Sequence, residues 1–451
     1  MRQRAINATQ TVVKKLFRAL VAALVTLIIV TVAIVWGLDA LDDRQATSEP
    51  ASGEADANVI ERGAYLARVG NCMACHTTRG GSPYAGGRGI ETPFGTVFSS
   101  NLTADKTTGI GQWNANEFWR ALHHGRARDG RLLYPAFPYT SYTQVTRADS
   151  DALFAYLGSL PSVEQPNRAH TLRWPYGTRI ALMAWRALYF KPAAFQVESS
   201  RSDQWNRGAY LVHGPGHCTA CHTARNALGG SDVAHEFGGG LVPVQDWYAP
   251  SLTSPQEAGV ATWSVSEIVQ LLATGQSARG TTSGPMGEVV LHSTQYWSLQ
   301  DLEATAIFLK TLPANDQEKD IRGKSPDPSS PAREAPRFAA RGAQLYEKHC
   351  AQCHGKSGEG VPSAYPALAG NRAIALPVTA NLIQIVLNGE FSPATPGNPR
   401  PFGMPPFALV LSDRDMADVL TYIRTTWNNQ ASPISELDVN RFREKAVQSG
   451  R

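Results

Sequence analysis

Apolar residues recur at helical spacing in two stretches that each appear three times along the chain. The first stretch has the form Arg-Gly-Ala-x-Leu and precedes a pair of cysteines. The second, such as "TRADSDALFAYLGSLP", has apolar residues three and four positions apart, as on one face of a helix. The first begins at Arg62, Arg207 and Arg341, and the second at Thr146, Ser298 and Ser412. This internal repeat predicts three helical modules.

The start of each second stretch carries its own helix signal. A serine or threonine stands three positions before an aspartate, which is the spacing of a capping box. The pairs are Thr146/Asp149, Ser298/Asp301 and Ser412/Asp415. We therefore expect a helix to begin at each of these hydroxyl residues.

A run of twenty uncharged, mostly apolar residues covers positions 19–38. As a helix it would be about 30 Å long, the thickness of a bilayer's hydrocarbon core. The basic segment 1–18 precedes it and aspartates follow it, which predicts a cytoplasmic tail and an exported remainder. A cleaved signal peptide is the alternative, but its apolar region usually spans only about 7 to 15 residues. We therefore predict a transmembrane anchor at 19–38, followed by a tether at 39–55.

The three modules are joined by two connections of different character. The first connection has several aromatic residues and is expected to contain a packed helix, whereas the second is polar and Pro-rich, as exposed linkers are. We predict modules at 56–165, 203–315 and 336–430, connections at 166–202 and 316–335, and a polar tail at 431–451.

Composition narrows the possible functions only a little. The chain has 451 residues, and single cores rarely grow beyond about 250 to 300 residues, so several domains are expected. The formal net charge is +4, with 42 basic residues scattered among 38 acidic ones. Because the basic residues form no cluster in the sequence, binding to nucleic acid is not indicated.

The six cysteines form three Cys-x-x-Cys pairs, and a histidine follows each pair directly. This spacing is typical of haem c, in which both thiols form thioethers to the porphyrin and the histidine ligates iron. A zinc site would need two pairs in one module, and a thioredoxin-like motif would lack the adjacent histidine. The sequence predicts three covalently bound haem c groups, at Cys72, Cys75 and His76, at Cys218, Cys221 and His222, and at Cys350, Cys353 and His354.

The sixth iron ligand is commonly a methionine in haem proteins that carry electrons. Met404 in "FGMPPF" and Met286 in "SGPMGEVV" lie in Gly/Pro-rich segments shortly before the last helix of their modules. We predict that Met404 ligates the third iron and Met286 the second. The alternative for either methionine is that it only fills a gap in the packing.

The first module differs, because Phe137 stands where the third module has Met404. A phenylalanine cannot ligate iron, so the first haem is either five-coordinate or ligated from outside this pattern. The candidates are His123, His124 and Met183. The two histidines also stand where a helix is expected to end, a place that favours cationic side chains without any ligand role. The sixth ligand of the first haem is thus left open.

Four long motifs carry a family resemblance, namely "RGAYLARVGNCMACHT", "ETPFGTVFSSNLTADKTTGIGQW", "DGRLLYPAFPYTSYT" and "WNRGAYLVHGPGHCTACHTARNALGG". With these motifs and the spacing of its three sites, the chain resembles the triple-haem cytochrome c subunits of bacterial membrane-bound periplasmic dehydrogenases. The resemblance covers about residues 56–430. Phe137 is a departure, since the family commonly has methionine there.

The resemblance implies an all-α fold of three tandem mono-haem cytochrome c (class I-like) domains behind one N-terminal transmembrane helix. It implies a catalytic partner subunit of the flavin, PQQ or molybdenum type, with ubiquinone or a terminal oxidase as the electron acceptor. It also implies a bacterial inner-membrane location with the haem domains on the periplasmic side. The substrate does not follow, because the same cytochrome architecture serves several dehydrogenases.

The sequence favours an electron-transfer subunit that is not itself catalytic, since no Rossmann fingerprint, flavin motif or nucleophile elbow occurs in it. One alternative is an enzyme, a multihaem peroxidase or reductase, in which His123 or His124 assists proton transfer at an open first haem. A subunit of a respiratory oxidase is a third interpretation.

Overall fold

The computed structural model describes residues 14–23, 56–314, 335–362 and 364–448, with isolated positions between 26 and 37. Residues 14–23 are helical. Half of the predicted anchor at 19–38, the whole tether and nearly all of the linker at 316–335 lie outside the described residues. In the part of the chain that is described, no helix is both long enough and apolar enough to cross a membrane.

Helices build three successive units, and in each unit the first long helix crosses the last one. The first unit contains Ala57–Val69 (α1), Cys72–His76 (α2), Ala115–His124 (α3), Tyr139–Tyr142 (α4) and Arg147–Ser159 (α5). Helix Arg179–Tyr189 (α6) follows in the predicted connection. The second unit contains Asp203–His213 (α7), Thr219–His222 (α8), Val265–Thr274 (α9), Pro285–His292 (α10) and Leu299–Leu309 (α11). The third contains Ala335–His349 (α12), Ala351–His354 (α13), Arg372–Ala375 (α14), Ala380–Asn388 (α15) and Asp413–Thr425 (α16). Helix Glu436–Gln448 (α17) follows in the predicted tail.

Short antiparallel strands accompany these helices. Gly89–Thr92 (β1), Gly95–Phe98 (β2) and Thr171–Leu172 (β3) form one sheet in that order, with Ile90 opposite Val97. Three two-stranded ladders follow, Gly240–Leu241 with Tyr248–Ala249 (β4, β5), Gln276–Ser277 with Gly280–Thr281 (β6, β7) and Glu390–Phe391 with Gly403–Met404 (β8, β9). The all-α prediction left these strands out, because most of them are too short to produce an alternating pattern in the sequence.

The glycine of the Arg-Gly-Ala motif lets the first and last helices of a unit touch. A Cβ atom at Gly63 would lie 1.9 Å from the carbonyl oxygen of Ala152 in α5. At Gly208 it would lie 2.0 Å from the carbonyl oxygen of Ala304 in α11, and Gly342 meets α16 in the same way. Any side chain at these positions would push the two helices apart.

The arginine of the same motif binds an aspartate in the first turn of the last helix. In the second unit, Nη2 of Arg207 lies 2.8 Å from Oδ2 of Asp301. The equivalent pairs are Arg62 with Asp149 and Arg341 with Asp415. Helix starts at Thr146, Ser298 and Ser412 are confirmed, since each hydroxyl accepts a hydrogen bond from the aspartate amide three residues on.

The first and second units share a hydrophobic cluster. Val69 and Tyr65 of α1 pack there against Tyr210 and Leu211 of α7 and against Trp297. The first two units are therefore joined through buried apolar surface.

The third unit contacts the second mainly through hydrogen bonds. Asn381 of α15 makes two of them with the backbone of Tyr248, at 2.7 and 2.8 Å. The amide of Arg372 donates to the carbonyl oxygen of Arg279 at 3.0 Å. Each unit also has its own core.

The C-terminal segment, predicted only as a polar tail, packs onto the third unit. Val439 of α17 and Ile434 are buried in its hydrophobic core. Asn440 donates to Asp413 at the start of α16. This contact was not predicted, because the apolar residues of the C-terminal segment are few and widely spaced.

Candidate functional site

Each Cys-x-x-Cys-His segment forms a single helical turn directly after the first long helix of its unit. These turns are α2, α8 and α13, and the histidine is the last helical residue in all three. Residues three and four apart lie on one side of a helix, so both thiols and the ring project from one turn. The local fold therefore brings together the groups that the sequence predicted to hold each haem.

The three histidines make the same backbone hydrogen bond. Nδ1 of His76 lies 2.7 Å from the carbonyl oxygen of Ser100. The same distance is 2.8 Å between His222 and Pro250, and 2.9 Å between His354 and Pro366. A carbonyl oxygen only accepts, so Nδ1 must carry the proton. Nε2 is then left with its lone pair, the form in which histidine ligates a metal.

Burial keeps these rings neutral. It lowers the pKa of all three histidines, although the backbone hydrogen bond acts in the opposite direction. An iron ligand must be the neutral ring, so the protonation state fits the predicted role.

The cysteines have the properties of haem attachment sites rather than of thiolate sites. None of the six forms a disulfide. Burial raises the pKa of the thiols of Cys72 and Cys218 to about 12, whereas thiolate nucleophiles need a lowered pKa. Among the described residues, no group of three or more His, Cys, Asp or Glu side chains could hold a metal ion. These observations do not support a zinc site or a thioredoxin-like site.

A cavity of about 1210 Å³ opens beside the first turn. Its walls include Cys72, Cys75 and His76, and apolar side chains such as Leu153 and Leu157 cover much of the rest. Small-molecule pockets usually measure about 300 to 1,000 Å³, so this one can hold a porphyrin. The residues present therefore fit a covalently bound haem.

The same cavity reaches the second unit. Cys221 and His217 of the second haem turn line it, as do Trp185 and Leu188 of α6. The thiols of Cys75 and Cys221 are close enough for the charge of one to affect the pKa of the other. The first two predicted haem sites therefore adjoin one another.

At the third site the structure brings the two predicted iron ligands to one cavity. His354 and Met404 both line it, together with Cys350, and its volume is about 100 Å³. Met404 belongs to β9, which pairs with β8 at Glu390. The strand pair thus fixes the loop that carries Met404 at the wall of this cavity.

Met286 is the second residue of α10 and is half-buried. It lies neither in the core cluster that contains Cys218 nor on the walls of the two cavities described above. The prediction that it ligates the second iron therefore stays a prediction.

Phe137 lines the first cavity with the haem-binding residues, as its position in the sequence predicts. His123, His124 and Met183 do not line that cavity, although they were the candidate ligands. His123 instead stacks on Trp119 at 4.2 Å between ring centroids.

Two histidines that are not among these candidate ligands, His170 and His217, do line the first cavity. His217 directly precedes Cys218, a position from which the sequence allows a haem-pocket histidine. His170 comes from the connection, and no local pattern marks it.

Comparison with known proteins places the chain among haem proteins. The cytochrome c family model matches residues 60–161 and 339–427. The chain is 37% identical over 403 residues to the cytochrome c subunit of alcohol dehydrogenase (quinone) from Gluconacetobacter polyoxogenes, covering 87% of this chain and 85% of that one.

Two further relatives serve different dehydrogenases. The gluconate 2-dehydrogenase cytochrome c subunit of Pantoea cypripedii is 37% identical over 405 residues, with 87% of this chain and 91% of the relative covered. The fructose dehydrogenase cytochrome subunit of Gluconobacter japonicus is 32% identical over 420 residues, with 89% and 86% covered. The chain belongs to the family of dehydrogenase cytochrome c subunits.

Proposed function

We propose that the chain is a membrane-anchored subunit with three haem c groups that passes electrons from a dehydrogenase catalytic subunit to ubiquinone or the respiratory chain. The observation that carries this proposal is the cavity shared by the first two haem turns. A haem bound at each turn supplies one-electron transfer, and the protein contributes the ligands, the positions and the apolar surroundings. Adjoining sites are what electron transfer from haem to haem requires.

The repeated geometry supports the proposal of three mono-haem domains. The family model leaves the second unit unmatched. That unit nevertheless has the same crossing of first and last helices, the same turn and the same histidine bond, from His222 to Pro250. This likeness supports a haem in the second unit as well.

The partner is proposed from the relatives. They are cytochrome subunits of alcohol, gluconate and fructose dehydrogenases, and a fourth relative is a nicotinate dehydrogenase subunit from Pseudomonas putida, of which the match covers 33%. The shared feature is that each relative is named as a subunit of a dehydrogenase. We infer a catalytic subunit of the flavin, PQQ or molybdenum type for this chain.

The proposed location is the bacterial inner membrane, with the haem domains in the periplasm. The support is the uncharged run at 19–38 with basic residues before it and acidic residues after it.

The test is to isolate the protein from its native membranes in mild detergent, identify co-purifying subunits and follow haem absorbance. Sugars, sugar acids, alcohols, aldehydes and N-heterocycles are added in turn. Reduction of the haems by one class, with a flavin, PQQ or molybdenum subunit present, is the expected result. A chain that purifies alone, stays oxidised with every substrate and consumes peroxide when reduced would favour the peroxidase alternative instead.

A further inference from the structure

We propose that Phe137 lies where the third unit has Met404 and supplies no iron ligand, so that a haem held at the first site would bind small neutral ligands such as carbon monoxide. The proposal rests on the proposed function only in requiring haem c at the first site. It adds a ligand-binding site to a chain whose relatives are named as cytochrome subunits.

The first step is that Phe137 and Met404 occupy equivalent places. Phe137 and Cys72 both pack against the core of the first unit, and both line its cavity with His76. Met404 and Cys350 both pack against the core of the third unit and line its cavity. The benzyl group thus stands where the third unit offers a thioether, and carbon and hydrogen cannot ligate iron.

The second step is that the ring of Phe137 is held in place. Its centroid lies 5.3 Å from that of Tyr142, whose hydroxyl donates to the carbonyl oxygen of Gly70 at 3.0 Å. The backbone turns tightly here, because the amide of Phe137 donates to the carbonyl oxygen of Tyr134. These contacts fix the side chain of Phe137 at the wall of the cavity.

The third step concerns ligands from elsewhere in the chain. Met183 is buried, but Ala181, Trp185 and Leu188 of its helix face the first cavity instead. His123 and His124 are also away from its walls. These three side chains therefore do not supply the sixth ligand in this structure.

The fourth step concerns the two histidines that do line the cavity. Nδ1 of His170 accepts a hydrogen bond from the amide of Phe98 at 3.2 Å, so its Nε2 carries the proton and offers no lone pair. Nε2 of His217 lies 3.3 Å from the carbonyl oxygen of Gly70 and donates to it. His170 thus has no free lone pair, and Nε2 of His217 is protonated and cannot ligate iron.

The walls of the cavity indicate which ligands would bind. Leu122, Val145, Leu153 and Leu157 line it and belong to the core of the first unit. An apolar wall favours a neutral diatomic molecule over an anion, because a buried charge without a partner is costly. The two histidines that the sequence offered for proton transfer in peroxide chemistry, His123 and His124, do not line this space. The apolar wall thus favours binding of a neutral molecule.

The test uses full-length protein with its haems attached. Haem is first counted per chain as the pyridine complex, and the dithionite-reduced protein is then titrated with carbon monoxide. Wild type should bind at least one carbon monoxide per chain and show a high-spin haem signal when oxidised. Phe137→Met should bind one carbon monoxide fewer and convert that signal to low spin.

Two control variants make the result specific. Phe137→Leu keeps an apolar side chain and should bind carbon monoxide as wild type does. Met404→Ala removes the equivalent ligand of the third site and should bind one molecule more.

Three outcomes would overturn the inference: no binding by wild type, the same binding by Phe137→Met, or a bis-histidine low-spin signal from the first haem. A haem count below three would instead count against the proposed function. The two failures are therefore distinguishable.

Discussion

Tyr210 donates a hydrogen bond to Asp149 across the contact between the second and first units, with 2.5 Å between the phenolic oxygen and Oδ2. Tyr65 makes the reverse contact, 2.6 Å from Oδ2 of Asp301. Each aspartate therefore ties the last helix of one unit to the first helix of the other. The third unit has Gln344 at the equivalent position of its Arg-Gly-Ala motif.

Removing either tyrosine hydroxyl should weaken the joint between the first two units. We expect Tyr65→Phe and Tyr210→Phe each to lower the free energy of unfolding by about 1 to 2 kcal/mol, because each leaves a carboxylate with one donor fewer. Denaturant unfolding followed by circular dichroism measures the effect. Tyr296→Phe is the control, since Tyr296 is 48% exposed and its change should stay within about 0.5 kcal/mol. Equal effects in all three variants would contradict the expectation.

The network around Asp301 should make stability depend on pH. Burial alone would raise the pKa of Asp301, but hydrogen bonds from Arg207 and Tyr65 hold it below the ordinary value. A carboxylate with a lowered folded-state pKa stabilises the protein at neutral pH, and that contribution is lost as the pH falls through the folded-state pKa.

We therefore expect Asp301→Asn to lower the free energy of unfolding by about 2 kcal/mol at pH 7. The difference from wild type should narrow steadily below about pH 4, where the unfolded-state carboxyl begins to take up its proton. Unfolding curves from pH 3 to pH 7 test this. Asp232→Asn alters a half-exposed aspartate that bonds to His235, and it should show neither effect. A constant difference across this range would exclude the ionic network as the cause.

The glycines at the helix crossings should not tolerate a methyl group. Gly63→Ala would place Cβ 1.9 Å from the carbonyl oxygen of Ala152, so α1 and α5 would have to separate, at a cost of at least about 3 kcal/mol. Gly158→Ala in α5 is the matched control, because a Cβ there meets nothing within 4 Å. It should be neutral or stabilise by about 0.5 to 1 kcal/mol. The thermal unfolding temperature should therefore fall in Gly63→Ala and stay the same or rise in Gly158→Ala.

Met404→Ala should change the third haem in a specific way. Loss of the thioether should lower one haem potential and abolish the sulfur-to-iron absorption band of that site. The cavity left behind should also cost about 2 to 5 kcal/mol of stability. Met416→Leu, in the buried core of the same unit, removes a sulfur without touching the cavity with His354 and should keep both the potential and the band. An unchanged band in Met404→Ala would show that the ligand assignment is wrong.

Met286→Ala tests the second haem by the same two measurements. If Met286 is a ligand, one potential falls and the site's band disappears, as expected for Met404→Ala. If Met286 only fills a gap in the packing, stability falls but the spectrum does not change. The spectrum therefore distinguishes an iron ligand from a packing residue, which the position of Met286 in α10 does not.

The sequence predicted those parts of the site whose residues lie within a few positions of one another. The cysteines and histidine of each turn lie within five consecutive residues, so their spacing alone places them together. Thr146, Ser298 and Ser412 start their helices because a hydroxyl cap acts within one turn.

Contacts between residues far apart in the sequence were not predicted. The spacing of Asp149 and Asp301 predicts capping boxes, yet their carboxylates bind arginines and the tyrosines of the neighbouring unit. No local pattern shows a partner more than 60 residues away. The cavity that joins Cys75 to Cys221 was hidden for the same reason, since it exists only once the two units have packed.

The exchange of tyrosine contacts has the form of a two-fold symmetric joint. Residue i of one partner meets residue j of the other and the reverse also holds, which is how two copies of one chain associate in a homodimer. Tyr65 with Asp301 and Tyr210 with Asp149 meet this condition inside a single polypeptide. The first two units are therefore joined reciprocally within one polypeptide, as two copies of one chain are joined in a homodimer.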